Sequence, residues 1–436
     1  MSDLIEARVL KGFRDFLPEA EIERRLLTET LEKTFRSFGF VPIDTPALEY
    51  AEILLGKGGG ETEKQVYRFQ DHGGRDVALR FDLTVPFARF MAEHRSELTL
   101  PFKRYHIAKV WRGENTQRGR YREFTQCDFD IVGTESAASD FEILLMMRES
   151  LRAIGVGDIT IRMSHRGVFN RFLTRLGLSG KSVEILRTVD KLTKIGRDET
   201  LSLLSEIAGR PHGEEILSFI EPKETFEATL ATMTAAAGGT CPETERLGTL
   251  RAFMNDMGVA DVFVLDPSIT RGLDYYTGVV YETFLNELPE IGSVCSGGRY
   301  DDLASLYSKD RLPGVGASIG LDRLIAALEA LSRTNRTPGF ARVAVACVDE
   351  TFGGRYQSIA ATFRAAGVSC EVLTEPKKLV QQYALAEKKG ARWVLVAGRE
   401  ELENGRMIMR EIATRENKEN MSLEEAVALA VAGLVR

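Results

Sequence analysis

The sequence predicts an α+β protein: an antiparallel β-sheet domain flanked by helices, a helical insertion, and a C-terminal α/β domain. Three observations carry this. Phe102–Gly133 reads as two strands joined by a long arginine-rich loop. Residues from Val168 to about Met257 have a mostly helical pattern, broken at Gly209–Pro211, Pro222 and Gly238–Pro242. Beyond Ser332–Gly339, strand and helix patterns alternate over roughly 95 residues, as in a small α/β domain.

The elements follow in chain order. Residues 19–38 carry Ile22, Leu26, Leu27, Leu31, Phe35 and Phe38 near helical spacing, an amphipathic helix. Phe40–Leu48 reads as a strand bent at Pro42 and Pro46, and Gly56–Glu61 as a loop. Val77–Phe87 alternates, with Arg80, Asp82 and Thr84 on one face and Leu79, Phe81, Leu83 and Val85 on the other. In the second strand of the arginine-rich hairpin, Gln126, Asp128 and Asp130 share one face, opposite Cys127, Phe129 and Ile131. Residues 139–154 read as helix. After the helical insertion, strands are expected at Asp261–Leu265, Tyr275–Phe284 and Gly292–Cys295, then a helix at Leu321–Leu331. In the C-terminal part, strands at Arg342–Val348, Ser369–Leu373 and Trp393–Val396 alternate with helices Arg355–Ala366 and Lys377–Lys388. A last strand pair and helix Leu423–Leu434 follow, with Ser422 and Glu425 forming a capping box. These boundaries divide the chain into a sheet domain (1–167 and 259–331), a helical insertion (168–258), a linker (332–339) and an α/β domain (340–436).

Composition narrows the function classes. A chain of 436 residues is too long for one ordinary core. No run of about 18 apolar residues exists to span a membrane. The start, MSDLIEARVLKGFRDF, lacks the basic and apolar regions of a secretory leader. Five cysteines, odd in number and without CxxC spacing, point to a reducing cytoplasm and away from a structural zinc. The five histidines show no ligand spacing, so no zinc is expected. The net charge of −7 argues against a nucleic-acid coat protein but leaves local basic patches open.

The chemistry concentrates in four segments. The hairpin loop carries Arg112, Arg118, Arg120 and Arg122, and arginine suits forked contacts with phosphate oxygens. Arg271–Gly278, RGLDYYTG, places an arginine, an acid and two tyrosines between glycines. Cys295–Asp301, CSGGRYD, has paired glycines, which mark a sharp turn or a close approach to a ligand. Gly314–Arg323, GVGASIGLDR, matches neither the dinucleotide fingerprint nor the Walker loop, and small residues there would let a strand and a helix pack closely, leaving Arg323 at the helix start. Together they suit a nucleoside triphosphate held on an antiparallel sheet beside a small zwitterion.

With these residues in view, the chain resembles the histidyl-tRNA synthetases, a family of class II aminoacyl-tRNA synthetases. The hairpin resembles the second motif of that class and GVGASIGLDRL the third. Glu21–Leu48 with Pro46 matches the first loosely. LRFDLTVPFARF, RGLDYYTG and CSGGRYDDL resemble signatures of the histidine enzymes, and the stretch from Trp393 through NGRMIMREIATRENKE resembles their anticodon-binding domain.

The resemblance implies a histidine–tRNA ligase that forms histidyl-adenylate from L-histidine and ATP, then charges tRNA(His). It implies ATP with Mg²⁺, a cytoplasmic homodimer, and no membrane partner. Residue by residue, it implies that Arg112 holds the α-phosphate and the amino-acid carboxylate, Glu114 the adenine side, Arg120 the β- or γ-phosphate, and Arg323 the γ-phosphate. Asp82, Thr84, Gln126 and Asp130 would hold the histidine α-amino group, and Tyr275 and Tyr276 would line the imidazole pocket. Arg271 would be the catalytic arginine near the α-phosphate. Asp128 receives no role. A regular strand would put Arg271 and Tyr275 on one face and Tyr276 on the other, so either Gly272 allows a bend or the strand starts later. Two rivals are a regulatory subunit of ATP phosphoribosyltransferase, which lacks the C-terminal domain, and a prolyl, threonyl or glycyl synthetase, which RGLDYYTG argues against.

Overall fold

The computed structural model describes residues 4–56, 64–270, 276–301, 303–307, 311–334 and 336–433. The chain forms two compact units, 1–14 with 27–334, and 15–26 with 335–436.

Among the described residues, eight strands build the large sheet of the first unit. Numbered along the chain, these are β1 (Val41–Pro42), β2 (Phe102–Trp111), β3 (Glu123–Val132), β4 (Ile159–His165), β5 (Phe263–Leu265), β6 (Val279–Leu285), β7 (Cys295–Tyr300) and β8 (Gly314–Gly320). Their order across the sheet is β1-β2-β3-β8-β7-β6-β4-β5. The interior pairings are antiparallel, and only the edge pairs β1–β2 and β4–β5 are parallel. One face of the sheet is dry. There Cys127, Phe129 and Ile131 of β3 pack with Leu31, Phe35, Ile143, Leu144 and Leu324 from helices. Burial of those side chains contributes roughly 2 kcal/mol each.

A run of helices extends from Arg166–Arg175 to Pro242–Asp256. Phe172 and Phe219 stack there with centroids 4.4 Å apart. Gly196 and Gly209, with φ of 83° and 84°, close one helix and open the next, a conformation that side chains disfavour.

In the second unit, strands Val343–Val345, Cys370–Val372 and Trp393–Val396 pair in parallel, and Met407–Glu411 and Asn417–Met421 continue the sheet antiparallel. Tyr356, Phe363, Trp393 and Leu395 fill its core. The expected capping box is present: Ser422 Oγ accepts from Glu425 N at 3.2 Å and Glu425 Oε2 accepts from Ser422 N at 2.7 Å.

Four sequence expectations need correction. The strand expected at Gly292–Cys295 begins only at Cys295 and runs to Tyr300. The alternating segment Val77–Phe87 is a strand only over Asp76–Leu79, and a helix runs over Thr84–Glu93. Pro86 has no N–H for a sheet ladder but fits a first helical turn. Asp82 Oδ1 accepts from Val85 N at 3.1 Å and helps open that helix. The glycine pair in CSGGRYD is not a turn but the interior of β7. Phe40–Leu48 is not one strand: only Val41–Pro42 and, separately, Leu48–Tyr50 are extended in sheets.

Candidate active site

The polar face of the large sheet floors a cavity of about 310 Å³. The register explains why. Gln126, Asp128 and Asp130 of β3 stand opposite Ala108, His106 and Arg104 of β2 on one side, and Gly320, Ser318 and Gly316 of β8 on the other. The β3 side chains of one parity therefore line the cavity, while Cys127, Phe129 and Ile131 are spent on the core.

Glycines supply the depth. A Cβ on Gly316 would sit 2.0 Å from Asp130 Oδ1, and one on Gly298 2.8 Å from the Tyr276 ring. A Cβ on Gly297 would fall 2.1 Å from the Gly316 carbonyl oxygen. The paired glycines of β7 are thus close-approach positions: Gly298, with Gly316 beside it on β8, leaves room for the Tyr276 ring and the Asp130 carboxylate, and Gly297 leaves room for Tyr281 and the β8 backbone on the opposite face.

One end of the cavity is cationic. Arg112, Arg120 and Arg323 all line it, with Glu114. Arg112 Nε donates to the Phe81 carbonyl at 2.9 Å, and its guanidinium lies 5.1 Å from the Phe124 ring centroid. Arg120 ends a tight turn, where Gln117 and Arg120 exchange backbone hydrogen bonds. Gly119, at φ 71°, lies against the Arg323 backbone. Arg323 opens helix Leu321–Ala330. Burial first, and then repulsion from Arg120 and Arg112, lowers its pKa to about 10. Three guanidiniums pressed together at a cavity wall favour a polyanion. Of the other loop arginines, Arg118 is exposed, and Arg122 turns away to the Glu114 carbonyl and the chain near Gly12.

The other end is acidic. Asp82, Thr84, Gln126, Asp128 and Asp130 line it and are all buried. Tyr300 donates to Asp130 Oδ1 at 2.6 Å. Arg104 Nη2 lies 2.7 Å from Asp130 Oδ2, an ion pair by distance whose angles fall outside hydrogen-bond geometry. Burial raises the Asp130 pKa, and Arg104 and Tyr300 oppose that rise. Asp128 is raised to about 7, chiefly by burial, with the Asp130 and Asp82 charges adding to it and Arg104 opposing. Tyr276 lines this part of the cavity, packed beside Tyr300. The described residues to which the resemblance gave site roles meet at one cavity: Asp82, Thr84, Arg112, Glu114, Arg120, Gln126, Asp130, Tyr276 and Arg323. Arg271 and Tyr275 lie outside the described residues.

The sequence reading missed a supporting layer. Arg104 is fully buried, 4.1 Å over the Phe87 ring. His106 Nε2 is 2.9 Å from Asp44 Oδ1. Burial, and then Arg104 and Arg80, lower its pKa to about 4, so it is neutral near pH 7. Arg80, read as pocket-facing, instead donates to the backbone carbonyls of Lys109 and Thr45. Asp322 accepts the Thr125 N–H at 2.6 Å and pairs with Arg14, whose guanidinium stacks 3.6 Å from the Tyr121 ring centroid. Buried Asp322 thus ties the hairpin and the N-terminal segment to the helix that carries Arg323.

The family model described as "Histidyl-tRNA synthetase" matches residues 12–324. The chain belongs to the histidyl-tRNA synthetase family. A second model, "Anticodon binding domain", matches residues 342–432. The histidine–tRNA ligase of Treponema denticola is 58% identical over 401 residues, 91% of this chain and 90% of that protein. That of Treponema pallidum (strain Nichols) is 50% identical over 421 residues, 95% of each. The crystal structure of histidyl-tRNA synthetase from Nostoc sp. PCC 7120 superposes with a TM-score of 0.88 at 30% identity, covering 99% of this chain and 100% of that one. No described helix is long and apolar enough to cross a membrane.

Proposed function

We propose that this chain is a histidine–tRNA ligase: it activates L-histidine with ATP, releases pyrophosphate, and transfers histidine to the 3′ end of tRNA(His). The carrying observation is the polarity of the one cavity, three arginines at one end and buried carboxylates at the other. A triphosphate fits the first and an amino-acid ammonium the second.

Arg112 bridges the α-phosphate and the substrate carboxylate, Arg120 and Arg323 take the outer phosphates, and Glu114 meets the adenine side. Asp82, Thr84, Gln126 and Asp130 orient the α-amino group. Tyr275 and Tyr276 flank the imidazole, and Arg271 stabilises the reacting α-phosphate. The substrate carboxylate is already ionised at neutral pH, so the first step needs no general base. It attacks the α-phosphorus in line as pyrophosphate leaves, and catalysis rests on positioning and charge stabilisation. Hydrogen bonds to the imidazole reject amino acids that cannot make them.

Mg²⁺ would enter with the triphosphate and neutralise its charge. An ion held mainly by phosphates needs only one or two protein carboxylates, and Glu114 and Glu282 line the cavity, both close enough to act on the Arg323 charge. We assign activation to 1–167 with 259–331, an insertion to 168–258, a linker to 332–339 and tRNA anticodon binding to 340–436. The chain works as a cytoplasmic homodimer through its first class motif. Charging of tRNA(His) transcript with labelled histidine tests the whole reading. Acid-precipitable histidine that depends on ATP and on the transcript is expected, and its absence from folded protein refutes it.

A further inference from the structure

The carboxylate that the family picture leaves idle stands in the middle of the cavity floor. Asp128 lines the cavity, is 2% exposed, and its Oδ1 has no hydrogen-bond partner among the described residues. Two residues along the same face, Gln126 Oε1 is also buried and has no partner among them. Gln126 Nε2 donates to Ser318 Oγ at 2.8 Å, and the Ser318 hydroxyl lies close enough to Asp128 to oppose the rise in its pKa. The result is two neighbouring buried acceptors lacking a donor among the described residues. Buried acceptors left unmade are costly, which favours a ligand that brings N–H groups.

Charge bookkeeping selects the ligand class. Arg104, on the facing strand, lies 2.7 Å from Asp130. Arg80 is held by two backbone carbonyls and lies 3.9 Å from Asp44. His106, directly opposite Asp128 in register, is bonded to Asp44 and uncharged near neutral pH. Cys295, buried on β7, has its thiol pKa pushed well up and brings no positive charge. Asp82 and Asp130 add negative charge. Among the described residues, Arg104 is the main positive charge acting on Asp128, and it is already paired with Asp130.

We propose that Asp128 binds substrate directly, its Oδ1 accepting a hydrogen bond from the α-ammonium group of histidine, with Gln126 Oε1 as the neighbouring acceptor. This rests on the proposed function above. An ammonium carries three donors, so Gln126, Asp128 and one of Asp82, Thr84 and Asp130 accept from it directly, and the others act through charge or position. A neutral amide at 128 would keep the shape and lose the charge. A charge-assisted hydrogen bond of this kind corresponds to roughly tenfold to hundredfold in affinity.

There is also a proton signature. In the free protein Asp128 titrates near pH 7, raised by burial and by Asp130 and Asp82. An ammonium partner requires the ionised form. Histidine binding to the wild type therefore expels a proton from Asp128, about half a proton per site at pH 7.

The test is Asp128→Asn in pyrophosphate exchange with histidine and ATP varied separately, beside thermal unfolding. The expected result is a KM for histidine raised about tenfold or more, a KM for ATP within about twofold, and a cooperative unfolding transition. The ratio of wild-type to variant histidine affinity should rise as pH increases from about 6 to 8, a comparison in which the substrate's own titration cancels. Should the variant not fold, calorimetry of histidine binding to the wild type in two buffers of different ionisation enthalpy decides instead. Proton release at pH 7 beyond that of the substrate's own imidazole supports the assignment, and no such excess overturns it. An unchanged KM for histidine in folded D128N also overturns it. If the wild type itself shows no histidine-dependent exchange, the proposed function falls; if the wild type is active and D128N matches it, only the role of Asp128 falls.

Discussion

Gly316→Ala offers a sharp probe of the acidic end because its effect can be worked from the geometry. Gly316 sits on β8 opposite Asp130 on one side and Gly298 on the other. An added Cβ would lie 2.0 Å from Asp130 Oδ1 and 2.4 Å from its Cγ, while real contacts essentially never fall under 3.0 Å. The Phe129 carbonyl oxygen at 2.8 Å blocks escape toward the strand backbone. The Asp130 carboxylate must therefore retreat by about 1 Å, away from Tyr300 at 2.6 Å. Losing that charge-assisted bond costs about 1.5–3 kcal/mol. Overpacking a filled site costs about 1–3 kcal/mol more. The variant should still fold, with stability lowered by roughly 4 kcal/mol, below the usual margin of about 5–15 kcal/mol. A 1 Å misplacement of a substrate-positioning group costs about a hundredfold in rate. Exchange assays should accordingly show kcat/KM for histidine down about a hundredfold, with the KM for ATP little changed. Wild-type histidine kinetics in Gly316→Ala would refute the placement of Asp130 beside the substrate.

Other outcomes follow from the same arrangement. Arg323→Gln should raise the KM for ATP about tenfold or more and leave the KM for histidine within about threefold, measured by exchange; the reverse pattern would move Arg323 to the amino-acid end. Arg271→Ala should abolish adenylate formation in protein that still binds ATP by equilibrium dialysis. Stability in the absence of substrate should carry the sign of Asp128: its native pKa of about 7 exceeds the ordinary 3.8, so the native state holds the proton longer and stability falls as pH rises from about 4 to 7. His106 acts oppositely: its pKa falls from 6.5 to about 4, so its contribution is lost as pH falls across that range. Denaturant titrations of Asp128→Asn should therefore show stability rising between pH 4 and 6.5 more steeply than in the wild type, and an identical slope would contradict the buried-acid reading.

How much of this was legible in the sequence depended on range. The split of β3 into Gln126, Asp128 and Asp130 against Cys127, Phe129 and Ile131 was readable because one face packs the core and the period is two. The same reading applied to FKRYHIAKVW would have placed Arg104 and His106 across from Asp130 and Asp128, a signal that was present and unused. Alternation misled at Val77–Phe87, where buried Phe81, Leu83, Val85 and Phe87 pack equally well from an irregular segment and a helix, and only Pro86 betrayed the change. Tyr300 with Asp130, and Arg14 with Asp322, join residues far apart along the chain, and no local pattern encodes them. The glycines of β7 and β8 were visible as close-approach sites, but what approaches them is set by sheet register.

The central claim is that one cavity activates histidine with ATP. ATP–pyrophosphate exchange with each of the twenty amino acids in turn tests it most directly. The account predicts rapid exchange with histidine and at least about a thousandfold less with the others, given imidazole recognition by buried polar groups. Exchange stimulated equally by another amino acid, or none with histidine from folded protein, would contradict it.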